Sequence, residues 1–453
     1  MDLQGKLALV LGLGQSGLAM ARWLSRQGAR VRVADSREQA PRLAALRETV
    51  PSAAIATGGL TPSAFAGVDL IAVSPGVSIH HPLVQDALTH GIPVVSEIEL
   101  FARALRELAP QTPVLAITGS NGKTTTTALT GSLCCAAGKN AALAGNISPA
   151  ALDALMAAID RREMPEVWVL ELSSFQLEAT YTLNATAATL LNISEDHLDR
   201  HADLDAYTVV KARIFAGDGV MVLNRDDPRS LGCARPDRTV VTFGLNPPPG
   251  PADYGVADGW IARGSKRLLR LADLRLVGLH NAANALAALA LCETIGIEPE
   301  SVATALAEFS GLAHRVEQVA EVRGVSYFDD SKGTNVGATL AAIQGLGRPL
   351  MIILGGDGKG QDFAPLRAAI ADHARGVALI GRDAGLIAAA IADSRVPMRF
   401  CADMREAVHW CAAEARPGDV VLLSPACASM DMYRDYAHRA QVFAEAVREL
   451  EAA

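Results

Sequence analysis

Aromatic residues are scarce in this sequence, at 4%, and several other signals are missing altogether. The seven cysteines are scattered, odd in number and free of any CxxC pair, which argues against a disulfide framework or a zinc knuckle. No basic run stands out, and 41 basic residues against 49 acidic ones leave a net charge of −8. A nucleic-acid partner is not expected, because nothing would neutralise a phosphate backbone. No unbroken apolar stretch of about 18 residues is present to span a bilayer. The chain starts with a few polar residues that lead straight into a strand-like run, unlike the charged and apolar regions of a signal peptide. These absences set the expectation of a cytoplasmic protein without membrane insertion. No period of 20–50 residues repeats, so solenoids and propellers are excluded too.

What is present is 50% hydrophobic residues, rich in Ala, Val, Leu and Gly. That mixture suits buried parallel strands alternating with helices. A chain of 453 residues is too long for one core. Short apolar strands followed by longer helical stretches recur in three segments, the pattern of doubly wound α/β sheets. Expected strands are residues 7–11, 31–35 and 70–73 in the first segment, and 114–118, 167–172, 188–193, 220–224 and 240–244 in the second. The third has 325–329, 350–354, 377–380 and 420–423. Residues 246–253 read as a Pro-rich surface loop and 281–295 as a helix. Pro-punctuated residues 109–113 and the Ser310-Gly311 join mark boundaries, giving domains 1–107, 108–311 and 312–453.

The central segment opens on Ala116-Ile-Thr-Gly-Ser-Asn-Gly-Lys-Thr-Thr125, between a buried-type strand and an apolar helix. Gly119 and Gly122 let the backbone curl so that its N–H groups and the helix N-terminus face an anion. Lys123 can reach β and γ phosphates, and the Thr124 hydroxyl can ligate Mg²⁺. The strict phosphate-loop pattern has Gly where this chain has Ile117, so the loop is a variant in the right context. In the first segment, Gly12-x-Gly14-x-x-Gly17 with Asp35 after the next strand fits a dinucleotide fingerprint. Alone it would suggest an NAD enzyme, but the same turn seats any diphosphate. Glu171 and His197 fall at or after strand C-termini, where open sheets bind ligands. A nucleotide also needs a carboxylate for Mg²⁺, which prefers oxygen ligands.

Thr118-Gly-Ser-Asn-Gly-Lys-Thr-Thr125 resembles the ATP loop of the Mur ligase family, which also includes folylpolyglutamate synthases. Further matches are Gly145-Asn-Ile147, Glu171-Leu-Ser-Ser-Phe-Gln176, Asn192-Ile-Ser-Glu-Asp-His-Leu-Asp199 and His280-Asn-Ala-Ala-Asn284. His314-Arg315, Asp329-Asp-Ser-Lys-Gly-Thr-Asn335, Leu354-Gly-Gly-Asp-Gly-Lys359 and Ser424-Pro-Ala-Cys-Ala-Ser429 complete the set. They follow the family's order through all three segments. The resemblance implies a Rossmann-like N-terminal domain, a central P-loop-type ATPase domain and a Rossmann-like C-terminal domain. Within the family, Asn121 stands where the L-alanine-adding branch has His, and no Asp-Asn-Pro-Arg motif of the diaminopimelate-adding branch is found. The D-glutamate-adding branch is therefore favoured.

That resemblance implies ATP and Mg²⁺, at two metal sites with Mn²⁺ as a substitute, and the substrates UDP-N-acetylmuramoyl-L-alanine and D-glutamate. ATP would meet Gly119, Ser120, Asn121, Gly122, Lys123, Thr124, Thr125, Asn284, Arg315, Asp330, Lys332 and Thr334. The UDP substrate would lie at Gly14, Gln15, Ser16, Ser36, Arg37, Ser74, Pro75 and Gly76, with Asn146, Ser173 and Gln176 at its lactyl-alanine end. Thr124 and Glu171 would hold one metal. His197 would serve the other, and Lys211, as a carbamate, would be a further metal ligand. Lys359, Ser429 and Tyr436 would take glutamate, Tyr436 standing where the family usually has Phe. The residues assigned to catalysis are Lys123, Glu171, His197 and Lys211. Cys427 reads as packing, and a monomer is expected. Readings left open are another Mur-type or folylpolyglutamate ligase, an NAD-dependent oxidoreductase, and a phosphate-loop binding module without ligase chemistry.

Overall fold

The computed structural model describes residues 3–197, 200–276 and 278–452. Leu198 and Asp199, which end one of the motifs above, lie outside the described residues. Three sheets carry the fold. The first comprises β1 (Leu7–Leu11), β2 (Arg30–Asp35), β3 (Ala54–Thr57), β4 (Leu70–Val73) and β5 (Val94–Ser96), all parallel, in the order β3-β2-β1-β4-β5. The strand order reverses between β1 and β4, which opens a crevice at their C-terminal ends.

The second sheet has nine strands: β6 (Val114–Thr118), β7 (Ala141–Gly145), β8 (Val167–Glu171), β9 (Ala187–Leu190), β10 (Val220–Asn224), β11 (Val240–Phe243), β12 (Tyr254–Ala257), β13 (Trp260–Arg263) and β14 (Lys266–Arg270). Their order is β14-β13-β12-β11-β10-β9-β6-β8-β7, with an antiparallel extension from β12 to β14. The phosphate-loop strand β6 sits between β9 and β8, so the loops after β6, β8 and β9 emerge together.

The third sheet contains β15 (Glu317–Val322), β16 (Val325–Asp329), β17 (Leu350–Gly355), β18 (Ala374–Ile380), β19 (Met398–Phe400) and β20 (Val420–Leu423), in the order β15-β16-β20-β17-β18-β19. Only β15 runs antiparallel.

Strands β1, β4, β6, β10, β16 and β20 have the bounds read from the sequence, and the helix expected over 281–295 is Leu279–Glu293. The strands not expected are short or poorly patterned. Strand β7 is Ala-Ala-Leu-Ala-Gly, without a β-branched or aromatic residue to mark it. Strand β14 is Lys-Arg-Leu-Leu-Arg and has no fully buried residue.

The helix Glu97–Leu108 leads out of the first sheet and packs on the second. Phe101 meets Trp168 edge-on at 5.0 Å, and one apolar cluster runs from Val10 and Leu70 through Phe101 to Leu170. Buried acids fasten the same seam: Glu99 accepts hydrogen bonds from the N–H groups of Tyr181 and Thr182 at 2.7 and 2.8 Å, and Glu97 accepts from Leu152 N–H at 2.6 Å. The first join is thus a change of sheet within continuous packing.

Candidate active site

The first crevice, about 420 Å³, is lined by Gly12, Gly14, Gln15, Ser16, Asp35, Ser36, Arg37 and Ser74 to Val77. Tight helix packing explains Gly17: a Cβ there would lie 1.9 Å from the Gly12 carbonyl oxygen. Ser74 Oγ donates to that same carbonyl at 2.7 Å, joining the loop after β4 to the turn after β1. Asp35 is buried, accepting Leu13 N–H at 2.7 Å and a two-pronged pair from Arg37 at 2.8 and 2.7 Å. The Arg37 guanidinium, helped by those N–H groups, holds the Asp35 carboxyl well below the usual range. A dinucleotide would need that carboxylate free for ribose hydroxyls. Its engagement with Arg37 disfavours the NAD reading.

A second cavity of about 700 Å³ lies between the central and third domains, lined by Asn121, Gly122, Thr125, Asn284, Arg315, Asp330 and Lys332 among others. The phosphate loop forms one wall. Gly122, at φ 83°, is left-handed immediately before the helix Lys123–Ala136, a conformation that glycine adopts without strain. Asn284 lies over it: a Cβ on Gly122 would come 2.4 Å from Asn284 Oδ1. Lys123 Nζ folds back onto the carbonyls of Gly119 and Ser120 at 2.9 and 2.8 Å. Burial pushes its pKa down, against the pull of Glu171 and Asp196.

The loop after β9 braces the phosphate loop. Asn192 Oδ1 accepts Asn121 N–H at 2.8 Å, and Ser120 Oγ donates to the Ser194 carbonyl at 3.0 Å. Asn192, Ser194 and Asp196 belong to the motif ending at position 199, and nothing local in the sequence shows this bracing role.

Glu171 closes β8, 2% exposed. Its Oε1 accepts Asn146 Nδ2 at 2.8 Å, whereas Oε2 is buried without a hydrogen-bond partner among the described residues. An unpartnered buried carboxylate oxygen at the mouth of a phosphate loop fits a hard cation. Thr124 Oγ1 accepts Arg315 Nη2, from the third domain, at 2.7 Å. His197 lies 3.6 Å from Asp196 Oδ2 and edge-on to Phe175 at 4.7 Å. Lys211 is 1% exposed, donates to the Gly119 carbonyl at 2.8 Å and lies over the Tyr207 ring at 4.6 Å. Burial first and the nearby Lys123 charge second push its pKa well down.

From the third domain, Asp330 accepts Ser424 Oγ–H at 2.7 Å, and burial pushes its carboxyl up to about 7. Lys332 sits over the Tyr436 ring at 4.9 Å, and Thr334 follows it in the same half-buried loop. The Tyr436 carbonyl accepts Ser331 Oγ–H at 2.8 Å. The loops bearing Lys359 and Ser429 are joined by reciprocal backbone bonds between Asp357 and Ala428, at 3.0 and 2.8 Å. Ser173 and Gln176 are engaged with each other in a capping box that starts the short helix Ser174–Leu177. The Asn146 amide, expected at the lactyl-alanine end of the UDP substrate, donates to Glu171 here.

This is a three-domain α/β protein whose central strand, phosphate loop and helix face a cavity closed by the third domain. Family models match in the same order: "Mur ligase MurD-like, N-terminal domain" over residues 6–96, "Mur ligase middle domain" over 117–292 and "Mur ligase, glutamate ligase domain" over 314–427. The chain belongs to the Mur ligase family. It is 60% identical over 451 residues to the UDP-N-acetylmuramoylalanine–D-glutamate ligase of Dechloromonas aromatica, covering 99% of this chain and 100% of that one. Identity to the enzyme of the same name from Aromatoleum aromaticum is 54%, covering 99% and 98%. Among solved structures, MurF of Acinetobacter baumannii aligns with a TM-score of 0.63 at 18% identity, covering 100% of this chain and 92% of that one. The UDP-N-acetylmuramate-alanine ligase of Thermotoga maritima aligns at 0.59 and 20%, covering 98% and 99%. These two likenesses bear on the fold alone. Among the described residues, no helix is long and apolar enough to cross a membrane.

Proposed function

We propose that this protein is an ATP-dependent amide-forming ligase that joins D-glutamate to UDP-N-acetylmuramoyl-L-alanine in peptidoglycan synthesis. The observation that carries this reading is identity of 60% along essentially the whole chain to a relative bearing that activity in its name. The domains are proposed as 1–107 for the UDP substrate, 108–311 for ATP and 312–453 for glutamate. A carboxylate is a poor acyl donor because its leaving group would be oxide. Its oxygen attacks the γ-phosphorus of ATP, the bond to the β-phosphate oxygen breaks, and ADP leaves an acyl phosphate. The glutamate amine then attacks the acyl carbon and loses a proton. The tetrahedral intermediate collapses to amide and phosphate.

The tasks of the chain are neutralising clustered anions and aligning the reactants. Lys123 and Arg315 flank the phosphate loop from two domains and supply the cations. Glu171, through its unpartnered oxygen, and Thr124 would hold Mg²⁺, and His197 with Lys211 would serve a second metal, with Mn²⁺ able to substitute. Bound there, the metal would offset phosphate charge. An ammonium at Lys211 would repel a cation, whereas a carbamate is an anionic oxygen donor. Forming it requires the neutral amine, which the burial of Lys211 and its closeness to Lys123 favour. Lys359, Ser429 and Tyr436 would receive glutamate, the first two from loops that already touch.

The test is ATP-dependent phosphate release by the purified protein with UDP-N-acetylmuramoyl-L-alanine and each glutamate enantiomer. Release only with D-glutamate is expected. Equal turnover of both enantiomers would overturn the stereochemical reading, and no release with either would overturn the ligase reading.

A further inference from the structure

The start of the helix Val336–Leu346 touches both halves of the site. Asn335, 4% exposed, is its N-cap and accepts Ala338 N–H through Oδ1 at 2.8 Å. The other end of the same side chain leaves the third domain. Asn335 Nδ2 donates to Asn121 Oδ1 of the phosphate loop at 3.0 Å, and lies 3.3 Å from Asp196 Oδ2. One residue on, Val336 N–H donates to Gln361 Oε1 at 3.0 Å. The Gln361 amide in turn donates to the Gly358 carbonyl at 2.9 Å and reaches the Ala426 carbonyl at 3.4 Å, in the two loops assigned to glutamate. Gly337 permits the approach: a Cβ there would lie 2.7 Å from Ser194 Oγ and 3.0 Å from Asn121 Nδ2.

We propose that Asn335 is a positioning residue, acting with Gly337 and Gln361 to hold the phosphate loop and the glutamate loops in register. The proposal deepens the ligase reading and rests on it for its chemistry. Acyl phosphate forms at the phosphate loop, and the amine that consumes it is presented by the third domain. Register between the two decides whether the amine or water reaches the acyl carbon first. Attack by water gives back the carboxylate and releases phosphate, so ATP is consumed without an amide.

Two variants separate this role from a structural one. Asn335→Ser keeps a neutral helix cap but removes the amide donor. Gly337→Ala favours the helix itself while obstructing its approach to Ser194. Thermal unfolding should therefore be unchanged or raised for Gly337→Ala and little changed for Asn335→Ser. Both variants are expected to lower kcat about tenfold, the scale of one lost hydrogen bond, with KM for the UDP substrate unchanged. The ratio of ADP formed to amide formed should rise above the wild-type value. Small-angle scattering with a non-hydrolysable ATP analogue gives a reading independent of the chemistry, in which the variants should stay more extended than wild type. Wild-type kcat, ADP-to-amide ratio and compaction in both variants would overturn the proposal. A wild-type protein that makes no amide, together with variants that fail to compact, would overturn the ligase reading and leave the register contact standing.

Discussion

Lys123 and Lys211 donate to the same oxygen, the carbonyl of Gly119, from 2.9 and 2.8 Å. Burial lowers the pKa of both, and that of Lys211 goes further down, by burial first and by repulsion from the Lys123 ammonium second. The nearby carboxylates of Glu171 and Asp196 oppose that shift. One lysine is therefore suited to meet phosphate as a cation, while the other is suited to react as an amine.

Lys211→Ala is expected to lose nearly all activity, and a small carboxylic acid such as acetate should restore part of it by filling the vacated anionic position. Phosphate release with and without acetate is the measurement. A fully active variant would remove Lys211 from the site.

Lys123→Ala is expected to abolish ligation while leaving binding of the UDP substrate largely intact, because the crevice at Gly14 to Ser16 belongs to another sheet. Calorimetric titration with that substrate, beside a turnover assay, checks both halves. Wild-type turnover would sink the phosphate-loop assignment.

Lys359→Ala should raise KM for glutamate far more than KM for ATP, since its loop pairs with the segment 424–429 through Asp357 and Ala428. An effect confined to ATP would move Lys359 to the nucleotide.

Glu97 gives a pH dependence with a definite sign. It is fully buried, and burial pushes its carboxyl up to about 7. The folded state thus holds a proton that the unfolded chain releases near its ordinary value of 4.5. Stability from this group is greatest below the ordinary value and is lost as pH rises toward 7. Glu97→Gln, which stays neutral, should flatten that slope. Its gain over wild type should be larger at pH 8 than at pH 5, by up to about 3 kcal/mol. Urea unfolding at the two pH values tests this, and parallel slopes would refute it.

Much of the site was legible because its chemistry is local in sequence. A strand, two glycines, Lys123 and Thr124 make a loop suited to an anion through backbone geometry that the order of residues dictates. Asp35 and Gly17 were legible for the same reason, although their ligand was not. A βα turn of that kind seats any diphosphate, and only the structure puts the Asp35 carboxylate in the grip of Arg37.

The strands missed are those whose burial depends on neighbours. Strand β7, made of alanines with one leucine and a glycine, pairs with β8 along its whole length, and nothing in its own residues requires it. Asn335 stands within a motif, but nothing local reveals its contacts, because its partners lie 214 and 139 positions away in the chain.

The sequence by itself determined the parallel α/β class, the phosphate loop and the order of the motifs, since periodicity, glycine placement and helix N-termini act over a few residues. Tertiary structure alone decided which charges face one another. Lys211 is buried beside Gly119, Arg315 crosses to Thr124, and Asn335 joins the phosphate loop to the third domain. The physical reason is that desolvation and Coulomb interaction depend on distance through space, and three separate sheets must pack before those distances exist.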